Sequence, residues 1–197
     1  MQPRMRQVPS PRIEMYTLPH FLPPDLCAGL MRLIDADRRP STIADANGDR
    51  YFRTSETCIL DPSAPAVVEL ERHLYAVNGI PPMFGEPVEG QRYEAGQEFK
   101  AHTDYFEPGG EDFRQQCAVA GQRTWTFMVY LNTVEAGGVT RFKEVGKTFH
   151  PEQGRLLCWN NRYPDMSCNP ATIHHAMKVR KGLKYVITKW YRERPWG

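Results

Sequence analysis

From about residue 85 to residue 192 the chain runs through short apolar segments broken by glycine-containing turns, with no helical pattern between them. Seven segments have the texture of strands: 88–94, 99–104, 124–132, 139–143, 155–159, 172–179 and 184–192. Neighbouring parallel strands need a long crossover, usually a helix, to connect them. The missing helices therefore argue against a parallel α/β sheet and point to an all-β sandwich or barrel. Helices are expected only earlier in the chain. One runs from Pro24 to Asp37, with Leu26, Leu30, Leu33 and Ile34 at helical spacing behind a run of prolines. A second runs from Pro65 to Asn78, with Val67, Leu70, Leu74 and Val77 as its buried stripe and Gly79, Pro81 and Pro82 ending it.

A chain of 197 residues is expected to form one domain. Residues 1–84 read as a helical N-terminal support region and 85–192 as the β core. Residues 1–20 read as an irregular arm and 44–49 as a polar loop. The stretch 106–122 is long and polar, and such loops inside compact domains are often lids or binding loops. Together with 43–58 it is expected to cover a substrate.

Bulk properties exclude several function classes. A net charge of +2, with scattered lysines and arginines, gives no basic surface for nucleic acid. The longest apolar run, Phe127 to Leu131, is far short of a membrane span, and the polar N-terminus lacks the apolar stretch of a secretory signal. Five cysteines, an odd number with no Cys-x-x-Cys pair, make a disulfide framework or structural zinc site unexpected. A reducing, cytoplasmic setting is the expectation.

The chemistry concentrates at His102-x-Asp104. Six histidines and nine aspartates in 197 residues place roughly a quarter of one such pair by chance, so the motif needs context. On a strand, residues two apart share a face, and both side chains could then reach one ion. A third ligand is available about seventy positions later at His174-His175. Adjacent strand residues face opposite ways, so only one of the two can complete the site. Two histidines and a carboxylate form a facial triad with open positions, which suits ferrous iron. Lys184 adds a positive charge suited to an organic acid. His20, His73 and His150 have no partner at ligand spacing.

The order of these residues resembles the iron(II)- and 2-oxoglutarate-dependent dioxygenases, in their prolyl 4-hydroxylase branch, from about Arg53 to Trp190. The similar segments are Arg53-Thr54-Ser55, Arg92 to Gln97, His102-x-Asp104-Tyr105-Phe106, Arg123 through Tyr130-Leu131-Asn132, Gly137-Gly138-Val139-Thr140, Pro151-x-x-Gly154, His174 through Lys184, and Lys189-Trp190. The resemblance implies a mainly β fold, a double-stranded β-helix or jelly roll with supporting N-terminal helices. It implies that His102, Asp104 and His174 bind Fe(II). It further implies that Lys184, aided by Tyr93 and Thr140, holds the far carboxylate of 2-oxoglutarate. The physical logic agrees, because a dicarboxylate in a partly apolar barrel needs a charge for its distal end.

The activity implied is hydroxylation of a prolyl residue in a peptide or protein. Dioxygen and 2-oxoglutarate are the co-substrates, succinate and carbon dioxide the products, and ascorbate a further candidate. Arg123 and Trp190 resemble substrate-contacting residues. The chain departs from the family pattern at Arg192, where histidine is frequent, at Ala176, where glycine is usual, and at Lys178, where proline is usual. Competing expectations are the same chemistry on a free amino acid or other small molecule, a zinc hydrolase on a similar barrel, and a non-catalytic sensor of metal and 2-oxoglutarate.

Overall fold

A computed structural model describes residues 5–41 and 51–196. Its strands are β1 (Arg6–Gln7), β2 (Met15–Leu18), β3 (Arg39–Pro40), β4 (Glu56–Ile59), β5 (Glu89–Tyr93), β6 (Phe99–His102), β7 (Arg123–Tyr130), β8 (Ala136–Gly137), β9 (Thr140–Phe142), β10 (Lys147–Phe149), β11 (Leu156–Asn160), β12 (His174–Ala176), β13 (Val179–Lys181) and β14 (Lys184–Arg192). Its α-helices are α1 (Pro24–Asp37), α2 (Pro65–Asn78) and α3 (Glu111–Cys117).

Both expected helices form with the expected bounds, and each has proline in its first turn. Gly79 ends α2 in the left-handed region at φ 66°, where its N–H donates to the Tyr75 carbonyl. Leu30 and Ile34 of α1 and Leu70 and Leu74 of α2 are buried, and each such side chain stabilises the fold by about 1.5–3 kcal/mol.

The large sheet has eight strands in the order β1-β2-β11-β7-β14-β5-β4-β3, and the smaller has four in the order β10-β9-β12-β6. All pairs are antiparallel. Strand alternation divides the large sheet's side chains between two cores. Phe127 and Val129 of β7, Leu156 and Cys158 of β11, and Tyr185, Ile187 and Tyr191 of β14 pack with the helices. Met128, Tyr130, Leu157, Trp159 and Val186 point the other way, into a core shared with Phe142 of β9 and Ala176 of β12. This is the jelly roll. β14 lies between β7 and β5, and all nine of its residues are buried. One close approach fixes the helix layer. A Cβ on Gly90 of β5 would stand 2.5 Å from Ile34 Cγ1, so only glycine lets α1 lie this near the sheet.

Five expectations need correction. The N-terminal arm is not irregular, because β2 pairs along β11 and buries Met15 completely. The first 84 residues accordingly contain four strands besides the two helices. Within 43–58, Glu56–Ile59 is a sheet strand paired with β5 rather than a covering loop, while 44–49 lies outside the described residues. The segment 106–122 contains α3. Two short strands, β10 and β8, also join sheets where turns were expected.

Candidate active site

β6 and β12 are neighbours in the smaller sheet, and their register sets His102 opposite His174. Asp104 lies just past the end of β6, not on the strand, and the bend there turns its carboxylate toward both rings. Asp104 Oδ1 lies 3.7 Å from His102 Nε2 and 3.9 Å from His174 Nε2. The three ligand atoms all fall within 4.8 Å of one another, the spacing that a single ion between them would bridge. Among the described residues no other cluster of this kind is present.

Each histidine is oriented by its own backbone. His102 Nδ1 donates to the Lys100 carbonyl at 2.7 Å, and His174 Nδ1 donates to the Thr172 carbonyl at 3.0 Å. A carbonyl can only accept, so both protons sit on Nδ1 and both Nε2 lone pairs face the site. The Thr172 carbonyl is presented by a tight turn over Pro170–Thr172, which the Asn169 side chain caps by accepting from the Ala171 N–H. Aromatic rings close the walls. Phe99 stacks on His102 at 3.5 Å, Phe142 on His174 at 5.2 Å, and Trp159 meets His174 edge-on at 4.8 Å.

Burial and the neighbouring His174 push the His102 pKa down to about 3, and burial lowers that of His174. Burial alone would raise Asp104. The two imidazoles, the Thr126 hydroxyl and Arg123 outweigh it and hold the carboxyl below its ordinary range. Neutral imidazoles beside an ionised carboxylate are the protonation states that metal ligation requires. The donor set therefore fits a divalent ion. His175 faces away, and its Nε2 meets Glu98 Oε2 at 2.8 Å. Strand alternation thus separates the two histidines as expected.

Lys184, the first residue of β14, is 1 % exposed and lines the same cavity as the triad. Its ammonium stands over the rings of Tyr93 and Tyr130 at 5.0 and 5.6 Å. Among the described residues it has no hydrogen-bonding or ionic partner. Burial depresses its pKa to about 7. A buried, unpartnered cation is costly, and a carboxylate entering the cavity would compensate it. Tyr130 donates its hydroxyl to Thr140 Oγ1 at 2.7 Å, which leaves the Thr140 proton free for a further acceptor. Tyr93 spends its own proton on Gln91 Oε1, also at 2.7 Å. Sequence reading missed the parts of Tyr130 and Gln91, whose only signal was inward-facing alternation on β7 and β5.

Of the other two expected residues, Trp190 lies in the cavity wall and Arg123 packs against it from outside the lining. The indole Nε1 of Trp190 has no partner among the described residues. Arg123 stacks on Trp190 at 3.8 Å. Its guanidinium is held by both carboxylate oxygens of Glu86, at 2.6 and 2.7 Å, and reaches the Asp104 carbonyl at 3.2 Å. The same carboxylate accepts from Arg192 Nη1 at 2.9 Å. Arg192 also donates to the Gln116 carbonyl in the last turn of α3. The departure at Arg192 therefore joins α3 to this wall.

A family model described as the 2OG-Fe(II) oxygenase superfamily matches residues 88–192. Prolyl 4-hydroxylase 5 of Arabidopsis thaliana is 30% identical over 207 residues, covering 92% of this chain and 68% of that protein. Prolyl 4-hydroxylase 13 of the same plant is 25% identical over 204 residues, covering 93% and 72%. Among solved structures, the viral collagen prolyl hydroxylase of Paramecium Bursaria Chlorella virus-1, in its 2OG complex, superposes with a TM-score of 0.71. It is 22% identical, and the alignment covers 90% of this chain and 95% of that one. With sequence order, jelly roll and cavity in agreement, the chain belongs to the 2OG-Fe(II) oxygenase superfamily, in its prolyl 4-hydroxylase branch.

Proposed function

We propose that this enzyme hydroxylates a prolyl residue in a peptide or protein, using Fe(II), 2-oxoglutarate and dioxygen and releasing succinate and carbon dioxide. The observation that carries the reading is Lys184, a buried cation without an anionic partner among the described residues, in the cavity that holds the two histidines and the aspartate. A zinc hydrolase has no use for that charge.

His102 Nε2, Asp104 Oδ1 and His174 Nε2 would hold the iron. Bound there, iron supplies the activation of dioxygen that oxidises 2-oxoglutarate and then the substrate. The chain's own residues bind and orient. Lys184 takes the distal carboxylate, with the Thr140 hydroxyl free to donate to it and Tyr93, whose proton is held by Gln91, lining the wall beside it. Met128, Trp159 and Val186 line the cavity and keep water from it. Trp190 offers an aromatic face to the pyrrolidine ring, and Arg123, fixed by Glu86 and stacked on the indole, holds Trp190 in place. The relatives named above are prolyl hydroxylases, and this supports a prolyl substrate over a free amino acid. Ascorbate as reductant and a cytoplasmic setting belong to the same proposal, the latter on the odd cysteine count.

The test incubates the purified chain with Fe(II), 2-oxoglutarate, ascorbate and a panel of proline-containing peptides and free amino acids. The expected result is one oxygen gained on a peptidyl proline, matched by succinate. Hydroxylation confined to free amino acids, or no succinate with any substrate, would overturn the reading.

A further inference from the structure

The proposed roles leave two fully buried polar side chains behind Asp104 unexplained. Thr126 and Asn161 are both 0% exposed. Thr126 lies on β7 between Trp159 of β11 and Trp190 of β14, the residues that pair with it across the sheet. Its hydroxyl meets Asp104 Oδ2 at 2.7 Å. Asn161 Nδ2 donates to the same hydroxyl at 2.9 Å.

The direction of this chain follows from donor counting. A threonine hydroxyl has one proton and two lone pairs. The Asn161 amide occupies a lone pair, so the proton points at Asp104, and an ionised carboxylate can only accept. Asn161 is itself pinned by its backbone, with its N–H donating to the Thr124 carbonyl at 2.7 Å and its carbonyl accepting from Asn169 at 2.9 Å. Its Oδ1 has no partner among the described residues, so the amide is held here for its donor and not for its acceptor.

We infer that Thr126, aimed by Asn161, is a positioning residue that commits one oxygen of Asp104 and so makes that aspartate a single-oxygen ligand. The inference rests on the metal reading above. Oδ2 is held by a charge-assisted hydrogen bond, and Oδ1 is the oxygen that stands between the two histidines. A carboxylate free to chelate through both oxygens would take up one more coordination position. Holding it to one keeps that position for the co-substrates of a facial triad. Partners behind metal ligands tune affinity by about 10–100-fold, which sets the size of effect to expect.

The experiment titrates the purified apo chain with Co(II), reading affinity by calorimetry and coordination by the visible absorption bands. Wild type binds one Co(II). T126V binds about 10–100-fold more weakly, with an altered visible spectrum, and T126S restores both. N161A, which frees the hydroxyl to turn, shifts affinity in the same direction and provides the comparison if T126V does not fold. Urea unfolding of each variant separates this from general damage, which would not change the spectrum of the bound ion. A folded T126V with wild-type affinity and spectrum overturns the assignment of Thr126 alone. A wild-type chain that binds no Co(II) overturns the metal reading with it.

Discussion

Replacing Lys184 with methionine should stabilise the ligand-free protein while abolishing its response to 2-oxoglutarate. The ammonium is buried over two tyrosine rings, and its pKa falls from 10.5 to about 7. That depression corresponds to about 5 kcal/mol of cost for keeping the lysine charged in the fold. Below pH 7 both folded and unfolded chains carry the proton, and wild type bears the whole cost. Between pH 7 and 10.5 the unfolded chain binds a proton that the folded chain does not, so wild-type stability rises with pH. Methionine fills a similar volume without the charge. The advantage of K184M should therefore be several kcal/mol at pH 6.5 and shrink by about 1.4 kcal/mol for each pH unit above 7. Urea unfolding at pH 6.5, 8 and 9.5 reads this directly. A second arm adds 2-oxoglutarate, which at a hundred times its Kd should protect wild type by about 2.7 kcal/mol and K184M not at all. A variant no more stable than wild type at pH 6.5, or an advantage independent of pH, would refute the reasoning.

Three further predictions test the neighbouring features. H174A should lose Co(II) binding in calorimetry, whereas H175A should keep it and lose about 1 kcal/mol or less of stability, because the His175 ring turns from the site to pair with Glu98. E86Q should destabilise by about 3–5 kcal/mol in urea, because it takes the counter-charge from both Arg123 and the fully buried Arg192. G90A should cost about 1–3 kcal/mol through collision with Ile34, and the double variant with I34A should show a coupling that simple additivity of the two losses does not.

How much of this was legible in the sequence depended on whether local physics decided it. α1 and α2 were readable to the residue because prolines start them and Gly79 ends the second. β14 was readable because it is a run of β-branched and aromatic residues that starts just after the Gly182 turn. α3 was not, because seven residues cannot sustain a helix alone. Its C-terminal carbonyls are held from the far end of the chain, by Arg192 on Gln116 and by Arg194 on Cys117. β2 hid behind a proline-containing arm and becomes a strand only because β11 offers it an edge. Within the site, the ordered motifs exposed the triad and Lys184. Thr126 and Asn161 lay 35 positions apart with no motif between them, and only folding brings them behind Asp104.

β14 also determines where this enzyme can change length. Its inward residues Lys184, Thr188 and Trp190 line the cavity, while Tyr185, Ile187 and Tyr191 pack with the helices. Because strand side chains alternate with a period of two, inserting one residue after Gly182 would exchange the two sets. Leu183 would then stand where the cavity needs an ammonium, and Lys184 would face the helix layer. An insertion near Gly109 meets no such constraint, since residues 107–109 are exposed and belong to no strand. Diversification by insertion is thus open to the loop before α3 and closed to the strand that carries Lys184.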